Sequence, residues 1–193
     1  MKLILASASP RRRELLASVR LTFEVEASSV EELQRHGEAP ETYVRRLAED
    51  KAREVASRHP DAWVIAADTI VFIDGAILEK PRDHEDAVRM LSRIAGRVHE
   101  VFTGLTLTNG AADRSYTTVV TTRVKMLNLS PDEIEWYAST GEPMDKAGAY
   151  AVQGIGAMFI QSIDGSYTNV VGLPLAELFE MMKTAGLRVK GEE

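Results

Sequence analysis

Residues 63–67 read Trp-Val-Ile-Ala-Ala, an unbroken apolar run that stops at Asp68. A short run with no polar alternation predicts a strand covered on both faces, and such cover comes from helices on each side of a sheet. Helical periodicity flanks the run. Residues 42–58 predict a helix whose Val44, Leu47, Ala48, Ala52 and Val55 form one stripe. Residues 83–95 predict another, with Val88, Leu91 and Ile94 on its face and Gly96 closing it. Residues 2–6 and 21–27 read as strands around a first helix, and residues 70–73 and 76–79 flank the hairpin signal Asp74-Gly75. Two long strands, residues 98–108 and 115–128, meet around Asn109-Gly110. Ser130 and Glu133 have capping-box spacing, residues 158–164 form a strand, and residues 174–185 form a helix ended by Gly186. Alternating βα units and antiparallel ribbons predict a mixed α/β fold: a twisted sheet with flanking helices, in two lobes around a central cleft. The length of 193 residues suits one domain over residues 1–193.

Composition narrows the functional classes. The formal net charge of −6 argues against non-specific nucleic-acid binding, which draws on excess lysine and arginine. Local basic clusters are then better suited to a small anion. Cysteine is absent, which removes disulfides, thiolate chemistry and Cys-based zinc sites. No apolar run approaches the roughly 18 residues of a membrane span, and the N-terminus lacks the pattern of a signal peptide. A cytoplasmic protein without membrane association is expected.

The basic cluster with most character follows the first strand. Ser7-Ala8-Ser9-Pro10 leads into Arg11-Arg12-Arg13, then Leu15, Leu16 and Val19 at helical spacing. Ser9 suits an N-cap and Pro10 the first helical position. Three arginines in a first turn oppose the helix dipole unless an anion, most simply a phosphate chain, neutralises both. A solvated basic turn is the plainer alternative. Asp68, at the carboxyl end of the buried strand, is placed to bind a metal, to act as a general base, or merely to cap a bend. Lys51 falls on the apolar stripe of its helix, where a lysine either snorkels to water or meets a buried anion. Pro81 holds Lys80 in extended backbone and so aims its amine. Glu31 and Glu32 offer a second carboxylate. Gln153 sits beside Gly154-Ile155-Gly156, where its amide has the donors and acceptors to read a base edge. The chain lacks GxxxxGK[ST], GxSxG and HExxH motifs, and His99, within a strand, reads as structural.

Together these segments resemble the Maf family of nucleotide pyrophosphatases over nearly the whole chain. The resemblance rests on LILASASPRRRELL (residues 3–16), AADTIV (66–71), EKPRD (79–83), GRVHEVFTG (96–104), DKAGAYAVQG (145–154) and GSYTNVVGLP (165–174). It implies an inosine-triphosphatase-like α/β fold and hydrolysis of nucleoside triphosphates to monophosphate and pyrophosphate with a divalent metal, Mg²⁺ or Mn²⁺. It also implies a link to arrest of cell division and a homodimer. Arg11, Thr69 and Gln153 match the dTTP- and UTP-preferring branch. Ser7, Arg11 and Arg12 would bind substrate, Asp68 would accept the proton with Lys51 and Lys80 beside it, and Glu32 and Asp68 would hold the metal. Ser28-Ser29-Val30 departs from the family pattern just before Glu31-Glu32. Two other readings remain: a non-catalytic nucleotide sensor that inhibits septum formation, and a pyrophosphatase for purine or modified nucleotides such as 7-methyl-GTP.

Overall fold

The computed structural model describes residues 2–187. Its strands are β1 (Leu3–Leu5), β2 (Glu24–Val25), β3 (Trp63–Ile73), β4 (Ala76–Leu78), β5 (Val98–Asn109), β6 (Arg114–Met126) and β7 (Ile160–Asp164). They form one mixed sheet in the order β2-β1-β3-β5-β6-β7, with β4 paired to β3. The helices are α1 (Pro10–Ser18), α2 (Pro40–Arg58), α3 (His84–Ile94), α4 (Pro131–Ser139), α5 (Tyr167–Val171) and α6 (Leu175–Thr184). The mixed α/β architecture agrees with the expectation. Among the described residues no helix is long and apolar enough to cross a membrane.

Two compact units share the chain. The first comprises Met1–Asp68, Thr103–Val120 and Gly172–Glu193. Here β1 pairs in parallel with β2 and β3, with Leu3 opposite Trp63 and Leu5 opposite Ile65. One side of these strands packs Leu3, Leu5, Ile65 and Ala67 with Leu16 of α1 and Leu178 and Met182 of α6. The other packs Ile4, Val64 and Ala66 with Ala52 and Val55 of α2. The apolar run is thus covered on both faces, as its lack of alternation requires. Each of the larger side chains, leucine, isoleucine, valine and methionine, contributes about 1.5–3 kcal/mol on full burial. Gly104 permits the closest packing in this unit: a Cβ there would lie 2.1 Å from the Val44 carbonyl oxygen of α2.

The second unit comprises Thr69–Phe102 and Thr121–Val171. The end of β3 turns through Asp74 and Gly75, both at positive φ, into β4, with Val71 opposite Leu78. Leu91 and Ile94 of α3 and Ile134 and Tyr137 of α4 join Val71, Val101 and Val124 in its core. Asp83 caps α3 through the Asp86 N–H, and Ser130 and Glu133 make both bonds of the capping box on α4.

Three expectations require correction. The apolar run and the hairpin strand are one strand, β3, so Asp68 lies within it and not at its end. The β1 pairing does stop at Ile65, three residues earlier. The expected strand at 158–164 starts at Ile160, because Gly154–Phe159 forms a 3-10 turn. The segment before it also folds into 3-10 turns, Glu142–Asp145 and Ala147–Ala149, and α5 was not expected. These pieces are too short to show periodicity.

Candidate functional site

Within the first unit, three charged side chains from distant parts of the chain meet. Lys51, in the middle of α2, is only 6% exposed. Its ammonium donates to Asp68 Oδ1 at 2.6 Å and to Glu32 Oε1 at 2.5 Å. Of the two readings of this lysine, snorkelling is therefore excluded. Its partner Asp68 is equally buried, whereas Glu32 reaches in from an exposed segment. Burying an ammonium and a carboxylate costs several kcal/mol each, offset only by good geometry and mutual attraction. Apolar residues in place of the whole buried pair would fill the same space at no such cost.

Arg12 belongs to the same charge neighbourhood. Burial lowers its pKa, the negative charges of Asp68 and Glu32 oppose that shift, and neighbouring Arg11 adds to it. Its guanidinium donates to Ser7 Oγ at 3.1 Å and to the Gly172 carbonyl at 2.7 Å. Ser7 is buried directly after β1, and its hydroxyl also accepts the Ser9 N–H. Ser9 caps α1 by accepting the Arg12 N–H, with Pro10 in the first helical position. Arg12 therefore folds back along its own loop, and Arg13 on the same turn is exposed.

Glu54 was not singled out from the sequence. It lies three residues after Lys51 on α2, hence on the same face of the helix. Its carboxylate accepts from the Ser28 and Ser29 hydroxyls and from the Ser29 N–H. Those bonds, Ser28 first and then Arg58, hold its pKa at about 2 against the opposing effect of burial. One helix face thus anchors the Ser28-Ser29 segment with Glu54 and receives Glu32 with Lys51. Glu32, and not Glu31, is the neighbour bonded to Lys51.

The remaining sequence candidates lie in the second unit. Thr69 is half-buried on β3. Lys80 is exposed between two fixed points, Leu78 paired in β4 and the buried Pro81. The Glu79 carbonyl beside it accepts the Gly148 N–H at 3.1 Å. Gln153 is exposed and stands just before the Gly154–Phe159 turn. His99 is buried against the Tyr150 hydroxyl at 2.8 Å, and burial lowers its pKa to about 4.

Glu32 and Asp68 are hard oxygen donors that converge on one cation, the Lys51 ammonium, which is the donor type Mg²⁺ and Mn²⁺ prefer. Among the described residues no group of three or more His, Cys, Asp or Glu is gathered for a metal. The carboxylate pair is thus compatible with an ion that draws its other ligands from water and phosphate, as Mg²⁺ commonly does.

The family model described as Maf-like protein matches residues 2–185. A dTTP/UTP pyrophosphatase of Myxococcus xanthus (strain DK1622) is 54% identical, over 96% of this chain and 93% of that protein. A dTTP/UTP pyrophosphatase of Koribacter versatilis (strain Ellin345) is 50% identical, over 97% of this chain and 96% of that protein. Among solved structures, the Ham1 protein of Staphylococcus aureus is matched over 66% of this chain and 73% of that chain, at 12% identity and a TM-score of 0.48.

Proposed function

This chain belongs to the Maf family, and on that premise we propose that it hydrolyses nucleoside triphosphates, dTTP and UTP above others, to the monophosphate and pyrophosphate. The observation that carries the reading is the buried Lys51 spanning Asp68 and Glu32, beside a phosphate-binding type of helix start. The reaction breaks the bond between the α-phosphorus and the bridging oxygen to the β-phosphate. Water attacks the α-phosphorus, its proton passes to Asp68, and pyrophosphate departs.

Phosphoryl chemistry of this kind depends on positioning and charge neutralisation more than on covalent help. Arg11, Arg12 and the N–H groups opening α1 would take the phosphate oxygens. Ser7 holds the Arg12 guanidinium in place for that task. Lys51 orients Asp68 Oδ1 and draws Glu32 towards it, and Lys80 would add a further positive charge for the leaving group. Glu32 and Asp68 would hold the divalent ion, which when bound supplies charge neutralisation and a more acidic water. Thr69 and Gln153 would contact the pyrimidine. The same reading takes the chain as one Maf-like domain in the cytoplasm.

The test is pyrophosphate release from a panel of dTTP, UTP, the other common triphosphates and 7-methyl-GTP, with Mg²⁺ or Mn²⁺. Turnover highest on dTTP and UTP is expected. Highest turnover on 7-methyl-GTP or a purine would overturn the base preference, and silence across the panel would leave a nucleotide-binding sensor.

A further inference from the structure

The segment carrying Gln153 is exposed yet unusually well fastened. Gln153, Ile155 and Met158 all face solvent, the last at 60% exposure. Beneath them two side chains hold the backbone on both sides of Gln153. The Ala151 N–H donates to the Tyr137 hydroxyl at 3.1 Å. The Ile155 N–H donates to Glu142 Oε1 at 2.9 Å, and the Gly156 N–H to Glu142 Oε2 at 2.8 Å. Tyr137 and Glu142 are joined in turn, the hydroxyl donating to Oε2 at 2.7 Å.

The electrostatics favour this arrangement. Burial, and then the Glu142 hydrogen bond, push the Tyr137 phenol well above its ordinary range, so it stays a donor. Burial works against the Glu142 carboxylate, but bonds from Tyr137, Gly156 and Ile155 outweigh it and lower its pKa. Gly154, at φ 72°, allows the approach: a Cβ there would sit 2.2 Å from Glu142 Oε1. Phe159 anchors the far end of this solvent-facing turn in the core, and the fastening holds its start. Its effect is to fix where Gln153 projects.

We propose that Glu142, bridged by Tyr137, is the positioning residue for base selection, acting through Gln153. The inference rests on the reading of Gln153 as a base contact. A side chain that reads a base edge discriminates only if it cannot swing aside, because a mobile amide re-pairs with the wrong base. Glu142 touches neither base nor phosphate in this account. It restricts Ile155 and Gly156, and Tyr137 restricts Ala151, so that the backbone around Gln153 has one path.

The experiment compares Glu142→Gln, Tyr137→Phe, Gln153→Ala and the double variant Glu142→Gln/Gln153→Ala by kcat and KM on dTTP and dGTP. Glu142→Gln keeps the size but removes a carboxylate that accepts three bonds. The expected result is a drop of about tenfold in the dTTP-to-dGTP ratio of kcat/KM, carried by KM for dTTP, with kcat changed by less than about threefold. Tyr137→Phe shows a smaller drop in the same direction. The double variant matches Gln153→Ala alone, since Glu142 has nothing left to position. If Gln153→Ala shifts the ratio and Glu142→Gln and Tyr137→Phe do not, the inference fails and the Gln153 reading stands. If Gln153→Ala leaves the ratio unchanged, the Gln153 reading falls and the inference with it. Additive losses in the double variant, or a fall in kcat on both nucleotides alike, would mean that Glu142 only caps the turn.

Discussion

Asp68 and Asp86 are almost equally buried, at 6% and 5% exposure, and both face cations, yet they solve the same problem differently. Asp86, in the second unit, is satisfied by its own neighbourhood. Arg82 and Arg89 lie four and three residues away, and both keep most of their side chains in water, at 80% and 57% exposure. Asp68, in the first unit, is met by a lysine 17 residues distant that is itself 8% exposed at the side chain. The local arrangement caps and braces α3 at little cost, because only the carboxylate is desolvated. The distant one buries both charges, and stability alone gives no reason to pay for it. On the function proposed above, the pair is kept because the reaction needs a carboxylate held in a fixed place.

The largest test of this contrast is catalytic. Asp68→Asn should lower pyrophosphate release by about 10²–10⁴-fold with the circular dichroism spectrum unchanged. Asp86→Asn should leave kcat nearly intact. Near-wild-type turnover by Asp68→Asn would sink the proton-acceptor assignment, and a large loss in Asp86→Asn would dissolve the contrast.

Stability should rank the two pairs next. Lys51→Met suits the apolar stripe but leaves Asp68 without its buried cation, at a cost of about 3–5 kcal/mol in urea unfolding. Asp86→Asn should cost about 1.5–3 kcal/mol, because its arginines simply return to water. A more stable Lys51→Met with unchanged kinetics would mean that the lysine serves neither role.

Acid titration sharpens the local side. Burial pushes the Asp86 carboxyl up, but hydrogen bonds from Arg89 and Arg82 outweigh it and hold the pKa at about 2. A carboxylate depressed in the folded state stabilises fully above its unfolded pKa of about 3.9, and that contribution is lost as pH falls towards 2. His99 acts at higher pH. Burial lowers its pKa to about 4, so below about 6.5 the unfolded chain takes up the proton first. Stability should therefore fall from about pH 6.5 to 4 and then level off as far as His99 is concerned. Melting temperature against pH should lose the upper limb in His99→Gln and show a shallower lower limb in Asp86→Asn, where Glu38 and Glu54, also held at about 2, still contribute. A wild-type profile in either variant would contradict the corresponding assignment. The smallest effect belongs to Arg82→Ala: an exposed partner, its removal should leave the melting temperature unchanged within error.

Much of this was legible in the chain. Helix starts announced themselves through local chemistry, as in Ser9-Pro10 and the Ser130–Glu133 box, because a cap needs only residues three or four apart. The buried strand was legible because a five-residue apolar run is too short for a helix of its own and has no polar alternation. The lysine on the stripe of α2 was visible as an anomaly, and the motifs around it carried the family resemblance and the list of site residues that came with it. The 3-10 turns between 142 and 159 were not legible, since turns of three or four residues leave no period to read.

What the tertiary structure alone decided is which charges meet. Periodicity left Lys51 open between water and a buried anion, and only the packing of α2 against β1 and β3 closed that choice by bringing Asp68 and Glu32 to its ammonium. Glu54 holding Ser28-Ser29, and Glu142 holding the backbone around Gln153, were likewise hidden. The physical reason is common to all three. Local rules act over three or four residues and are written in the sequence, whereas a charge finds its partner through space, at a separation that composition and spacing do not encode.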